Sequence, residues 1–141
     1  MRAHFVIGEP SRFAAFLILS RSGLEKAGEA CSVYQDRVMK DLPCKVLQLD
    51  EVWSFVGCKE KAKAKAVCRH PGDVWTWTCV CAETKLIPAW RVGDRSARTA
   101  MDFCNDLAPR FSGELQITSD GHTAYRMAVG NAFDLDRTMD A

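Results

Sequence analysis

The chain has 141 residues, length for one domain and one core, with no room for a second catalytic domain. Hydrophobic residues make up 48% and charged residues 26%, which excludes a disordered or collagen-like chain. Net charge is only +1, but residues 57–98 carry nine basic and four acidic side chains, while residues 99–141 carry three and seven. A basic middle of this kind is either a phosphate-binding stripe or a solvated hairpin.

The longest apolar run, Phe13 to Leu19, is too short to span a bilayer and is either a short helix or a buried strand. Leu24, Ala27, Cys31, Tyr34 and Val38 recur at spacings of three and four, one face of an amphipathic helix that Pro43 must stop near Asp41. Residues 1–44 therefore form an N-terminal helical segment.

From residue 45 the pattern changes. Val46–Val56 is rich in β-branched and aromatic residues and reads as a long strand, interrupted by Gly57 and the run KEKAKAK at Lys59–Lys65. Asp73–Cys81 alternates Val and Thr against Trp and Cys, a period-2 strand. Leu86–Val92 is a third strand, at an edge or bulged because of Pro88. Three strands with short connections form an antiparallel meander. A helix capped by Asp94 or Ser96 then carries Ala100, Phe103, Cys104 and Leu107 on one face. Glu114–Ser119 is a fourth strand, returned parallel by the crossover helix, and Thr123–Val129 is helical again. The fold class is α/β with a mixed sheet.

The seven cysteines are odd in number and contain no CxxC pair, so they read as buried, reduced thiols of a cytoplasmic protein. A zinc site at Cys68, His70, Cys79 and Cys81 is the alternative. Two carboxylates stand out. Asp50 sits within an apolar strand, where a charge needs a partner or a cation, and Asp120 ends the fourth strand, where open α/β sheets place ligand groups. If those strands are neighbours, the two carboxylates meet, as a magnesium site requires. A solvent-facing strand residue and an Asp-Gly turn are the plainer readings of the same two positions.

The strings LPCKVLQLDEVWSFVGCKEK, GDVWTWTCVCAETKLIPAWRVGDRSARTAMDFCNDLAPRF and LQITSDGHTAY resemble the transposases of the insertion-sequence-one type, over roughly residues 24–133. Those transposases belong to the DDE superfamily and have a ribonuclease-H-like fold. The resemblance implies that residues 45–141 are part of such a catalytic domain, with the fourth strand parallel beside the first. It also implies that Asp50 and Asp120 are catalytic and bind Mg²⁺ or Mn²⁺ for cleavage and strand transfer at the DNA ends of a mobile element. His122, in the same motif, is an auxiliary candidate that would orient a phosphate or a metal-bound water, or else a polar helix start. Lys59, Lys61, Lys63, Lys65, Arg91, Arg95 and Arg98 are candidates for DNA backbone contact. Other transposase subunits are possible partners, and no membrane is involved.

The family carries a third carboxylate downstream of its DGH segment, and no family motif surrounds Asp134, Asp136 or Asp140. Residues 1–23 do not resemble the family's N-terminal zinc-binding and helix-turn-helix region. The expectation is a truncated transposase without the third carboxylate; the alternative is a non-catalytic DNA-binding or regulatory fragment.

Overall fold

The computed structural model describes residues 10–65, 67 and 70–133. The chain divides into two compact units between Val38 and Met39, six residues ahead of the expected boundary. The first unit contains one helix, α1 (Pro10–Val38), into which the run Phe13–Leu19 falls. The helix stops three residues short of Asp41, which takes a positive φ of 52° ahead of Pro43. Residues 39–44 belong with the sheet: Leu42 forms a parallel bridge to Phe111, and Cys44 is buried in the core.

The second unit is mixed α/β. Its sheet comprises β1 (Val46–Val56), β2 (Gly72–Cys81), β3 (Trp90–Gly93) and β4 (Gln116–Ser119), in the order β3-β2-β1-β4. β1, β2 and β3 are antiparallel, and β4 runs parallel to β1. The long hairpin of β1 and β2 keeps one register from Leu47↔Cys81 to Val56↔Gly72. Its connection includes a 3₁₀ turn over Glu60–Lys65, where Glu60 N donates to the side-chain Oδ1 of Asp73 at 2.9 Å.

β3 is shorter than the expected Leu86–Val92. Lys85 adopts φ 63° in the turn that follows β2, and Pro88 has no N–H to give a ladder, so pairing with β2 begins only at Trp90. β4 likewise starts late, at Gln116, after Gly113 with φ 89°.

Two helices complete the unit, α2 (Ala97–Leu107) and α3 (Thr123–Ala132). Ser96 caps α2, its hydroxyl accepting from Thr99 N, and Asp94 in turn accepts from the Ser96 and Thr99 hydroxyls. Ala100, Phe103, Cys104 and Leu107 are fully buried, as the i, i+3, i+4, i+7 spacing requires. They pack with Leu47, Leu49, Trp77 and Cys79 from one face of the sheet and with Tyr125 and Ala128 of α3. Trp77 is the centre of this core, completely buried, with its indole N–H donating to the Asp94 carbonyl at 3.0 Å. Among the described helices none is long and apolar enough to cross a membrane.

Candidate metal centre at the β1–β4 junction

The parallel register sets Leu49 of β1 beside Ser119 of β4, so the next residues along are Asp50 and Asp120. One carboxylate oxygen from each, together with one from Glu51, lies within 4.8 Å of the others. Strand pairing over four residues thus brings together two acids seventy positions apart in sequence.

Each acid is held by its own backbone neighbourhood. Asp50 Oδ1 accepts from Glu51 N at 2.8 Å, and Asp120 Oδ1 accepts from His122 N at 3.2 Å across the turn at Gly121, whose φ is 90°. Both Asp50 and Asp120 are exposed to solvent. Of the two readings of Asp50, its exposure matches the solvent-facing one: its face of β1, shared with Gln48 and Val52, is uncovered among the described residues.

The buried acid is Glu51. Strand alternation turns it to the core face with Leu47 and Leu49, and its side chain is only 1% exposed. Arg95 binds Glu51 Oε2 at 3.3 Å while stacking its guanidinium 4.6 Å from the Trp75 ring centre. Glu51 Oε1 and the Tyr125 hydroxyl are both buried without a hydrogen-bond partner of good geometry. Burial first, then the adjacent Glu51 carboxylate, pushes the Tyr125 pKa up. Neither residue was singled out from sequence; the signal for Glu51 was its place in phase with Leu47 and Leu49.

His122 is the N-cap of α3. Its Nδ1 accepts from Ala124 N at 3.2 Å, so the ring proton of the neutral form sits on Nε2, which is buried and unpartnered. The ring lies 5.6 Å from Trp77 and 6.1 Å from Tyr125. In this position His122 fixes the start of α3 directly after Asp120.

The basic candidates divide. Lys59, Lys61, Lys63 and Lys65 are exposed, with Lys63 paired to Glu60 at 3.2 Å and Lys59 lying 5.2 Å over Trp53. They follow the far end of β1, about 20 Å along the strand from Asp50. Arg98 is exposed on α2, Arg91 is half-buried on β3, and Arg95 is engaged by Glu51 and Trp75. Cys68, Asp134, Asp136 and Asp140 lie outside the described residues.

An all-oxygen set of two open carboxylates with a third beneath them fits a hard divalent cation of the Mg²⁺ or Mn²⁺ type. No family model and no curated protein matches the chain.

Proposed function

We propose that residues 45–141 form part of a DDE-type transposase catalytic domain of ribonuclease-H-like fold, which engages the DNA ends of a mobile element. The observation that carries this reading is the convergence of the Asp50 and Asp120 carboxylates at adjacent positions of neighbouring parallel strands. The strand order β3-β2-β1-β4, with α2 between β3 and β4, supports it, as does the motif resemblance around both acids.

Asp50 and Asp120 would hold Mg²⁺ or Mn²⁺, which when bound lowers the pKa of water and neutralises charge on a phosphodiester. The chain's own contribution is orientation. The Asp120–His122 turn fixes one carboxylate, the Asp50–Glu51 backbone contact fixes the other, and the packed Glu51, Tyr125 and Trp77 layer beneath keeps the strand end rigid. A third carboxylate of the family's kind, downstream of the DGH segment, would have to come from elsewhere than the described residues, because residues 121–133 contain no Asp or Glu. The proposal for this chain is therefore cation and DNA binding with little strand transfer, in the cytoplasm and alongside other transposase subunits.

Calorimetric titration with Mn²⁺ tests it. Saturable binding that is lost in both Asp50→Asn and Asp120→Asn supports the assignment; binding unchanged in both overturns it. The second reading, a DNA-binding fragment without catalysis, rests on the exposed lysines Lys59, Lys61 and Lys65, which lie away from the acids. DNA binding that is salt-dependent and indifferent to Asp50→Asn would favour it.

A further inference from the structure

A second cluster of ligating atoms lies at the end of the β1–β2 pair where β1 begins and β2 finishes. The Sγ atoms of Cys44 and Cys81 and a carboxylate oxygen of Glu83 all fall within 4.8 Å of one another. Cys44 lies two residues ahead of β1, Cys81 ends β2, and Glu83 lies in the turn that follows. We propose that Cys44, Cys81 and Glu83 form a binding site for a thiophilic divalent cation, Zn²⁺ being the natural occupant, that ties the start of β1 to the end of β2.

Four observations carry this. First, the donor set of two sulfurs and one carboxylate oxygen is that of zinc and not of magnesium or calcium. Second, the spacing is right before any ion arrives: Cys81 Sγ and Glu83 Oε2 are 3.5 Å apart. A tetrahedral centre with a metal–sulfur bond of about 2.3 Å and a metal–oxygen bond of about 2.0 Å has an S···O edge of about 3.5 Å.

Third, the carboxylate is already oriented. Glu83 Oε2 accepts from Lys45 N at 3.2 Å, so the residue next to Cys44 positions the third ligand, the kind of outer contact that holds metal-binding side chains in place. Fourth, a cavity of about 30 Å³ opens beside Cys44 and Cys81, its lining including Leu42, Thr84, Leu86 and Phe111. The volume is enough for one water, for which a bound cation would be the polar partner. Both cysteines are nearly inaccessible, whereas Glu83 is exposed and provides the route in.

The zinc alternative drawn from sequence is Cys68, His70, Cys79 and Cys81, of which Cys68 lies outside the described residues. Cys79 and Cys81 share one face of β2 but have different partners. Cys79 donates to the Ala89 carbonyl at 3.3 Å, deep in the core, while Cys81 turns to Cys44. The partner of Cys81 comes from 37 residues upstream, a pairing that only the sheet register creates.

Binding replaces the two thiol protons by the cation and releases them to solvent; no electrons move. Cys44 Sγ donates to the Val46 carbonyl at 3.2 Å, and Cys81 Sγ donates to Glu83 Oε2. Burial, followed by the contact with Cys81, pushes Cys44 up to about 12, and the same contact holds Cys81 below its ordinary value.

The test uses the full chain, reduced and stripped of metal, with Co²⁺ as a spectroscopic probe and Zn²⁺ as competitor. The expected result is one equivalent of Co²⁺ with a thiolate-to-metal charge-transfer band, displaced by Zn²⁺ and lost in Cys44→Ser and Cys81→Ser. Glu83→Gln should keep the band and bind more weakly. Co²⁺ held at Asp50 and Asp120 gives no such band, so the two centres are separable.

Alkylation mapped by mass spectrometry provides a readout on the unmutated chain. Zn²⁺ should slow labelling of Cys44 and Cys81 and leave the exposed Cys31 unchanged. Absence of a charge-transfer band, a band that survives both serine variants, or protection of Cys68 in place of Cys44 and Cys81 overturns the proposal.

Discussion

Glu51 and Arg95 meet at 3.3 Å across the edge of the core, the carboxylate buried and the guanidinium 44% exposed and laid over Trp75. The pair ties the middle of β1 to the loop that enters α2, directly beneath the Asp50–Asp120 junction. Removing Arg95 would leave a carboxylate out of water with one oxygen already unpartnered. Because Arg95 itself is half in solvent, the expected cost of Arg95→Ala is about 1–3 kcal/mol, below the range for a fully buried pair. Urea unfolding measures it. Arg95→Lys should recover part of the loss, since it restores the charge but not the stacking.

Asp50→Asn and Asp120→Asn should leave the fold intact, both side chains being exposed, and lower Mn²⁺ affinity by about tenfold or more, equivalent to about 1.4 kcal/mol each. Asp120→Ala adds a structural cost that Asp120→Asn avoids, because Asn retains an oxygen to accept from His122 N. A melting temperature lower in the Ala variant than in the Asn variant would separate the two contributions.

His122→Ala removes the acceptor for Ala124 N and should cost about 0.5–2 kcal/mol as a lost helix cap. It also takes a ring from the Trp77 and Tyr125 packing. A loss of Mn²⁺ affinity larger than the loss of stability would show that His122 acts on the metal centre beyond holding α3 in place.

The N-terminus of α2 has an acid-sensitive cap. Hydrogen bonds from Ser96, then Thr99, hold the Asp94 carboxyl below its ordinary value of 3.8. A folded-state pKa below the unfolded one stabilises the native state above pH 3.8, and the contribution disappears as pH falls through the lower, folded value. Ser96→Ala should cost about 1 kcal/mol at neutral pH and less in acid, once Asp94 is protonated. Thermal melts between pH 2 and 7 would trace this.

If the lysine run binds DNA, Lys59, Lys61 and Lys65 are the residues free to neutralise phosphate, since Lys63 is paired to Glu60. Replacing those three by Ala should reduce the slope of log affinity against log salt by up to about 2.7. An unchanged slope in a fluorescence-anisotropy salt series would mark the run as a solvated turn.

The elements that local chemistry dictates were legible in the amino-acid order. β1 begins and ends where its β-branched and aromatic run does, and Ala100, Phe103, Cys104 and Leu107 all face the core because helical spacing leaves them no alternative. Asp50 and Asp120 could be marked as strand residue and strand-end residue. Their meeting could be stated only as a condition on strand order, because nothing local decides which strands are neighbours.

Tertiary structure decided the rest. Parallel pairing of β4 with β1 puts Asp120 beside Asp50, and a sheet face uncovered among the described residues, not any property of Asp50 itself, leaves its carboxylate in solvent. Burial of Glu51 depends on α2 and α3 lying over its face of the sheet, and its partner Arg95 lies 44 residues away. The joining of Cys44 to Cys81 depends in the same way on antiparallel register. Periodicity and propensity act over a few residues and are written in them, whereas contacts between strands and helices depend on how the whole chain shares one core.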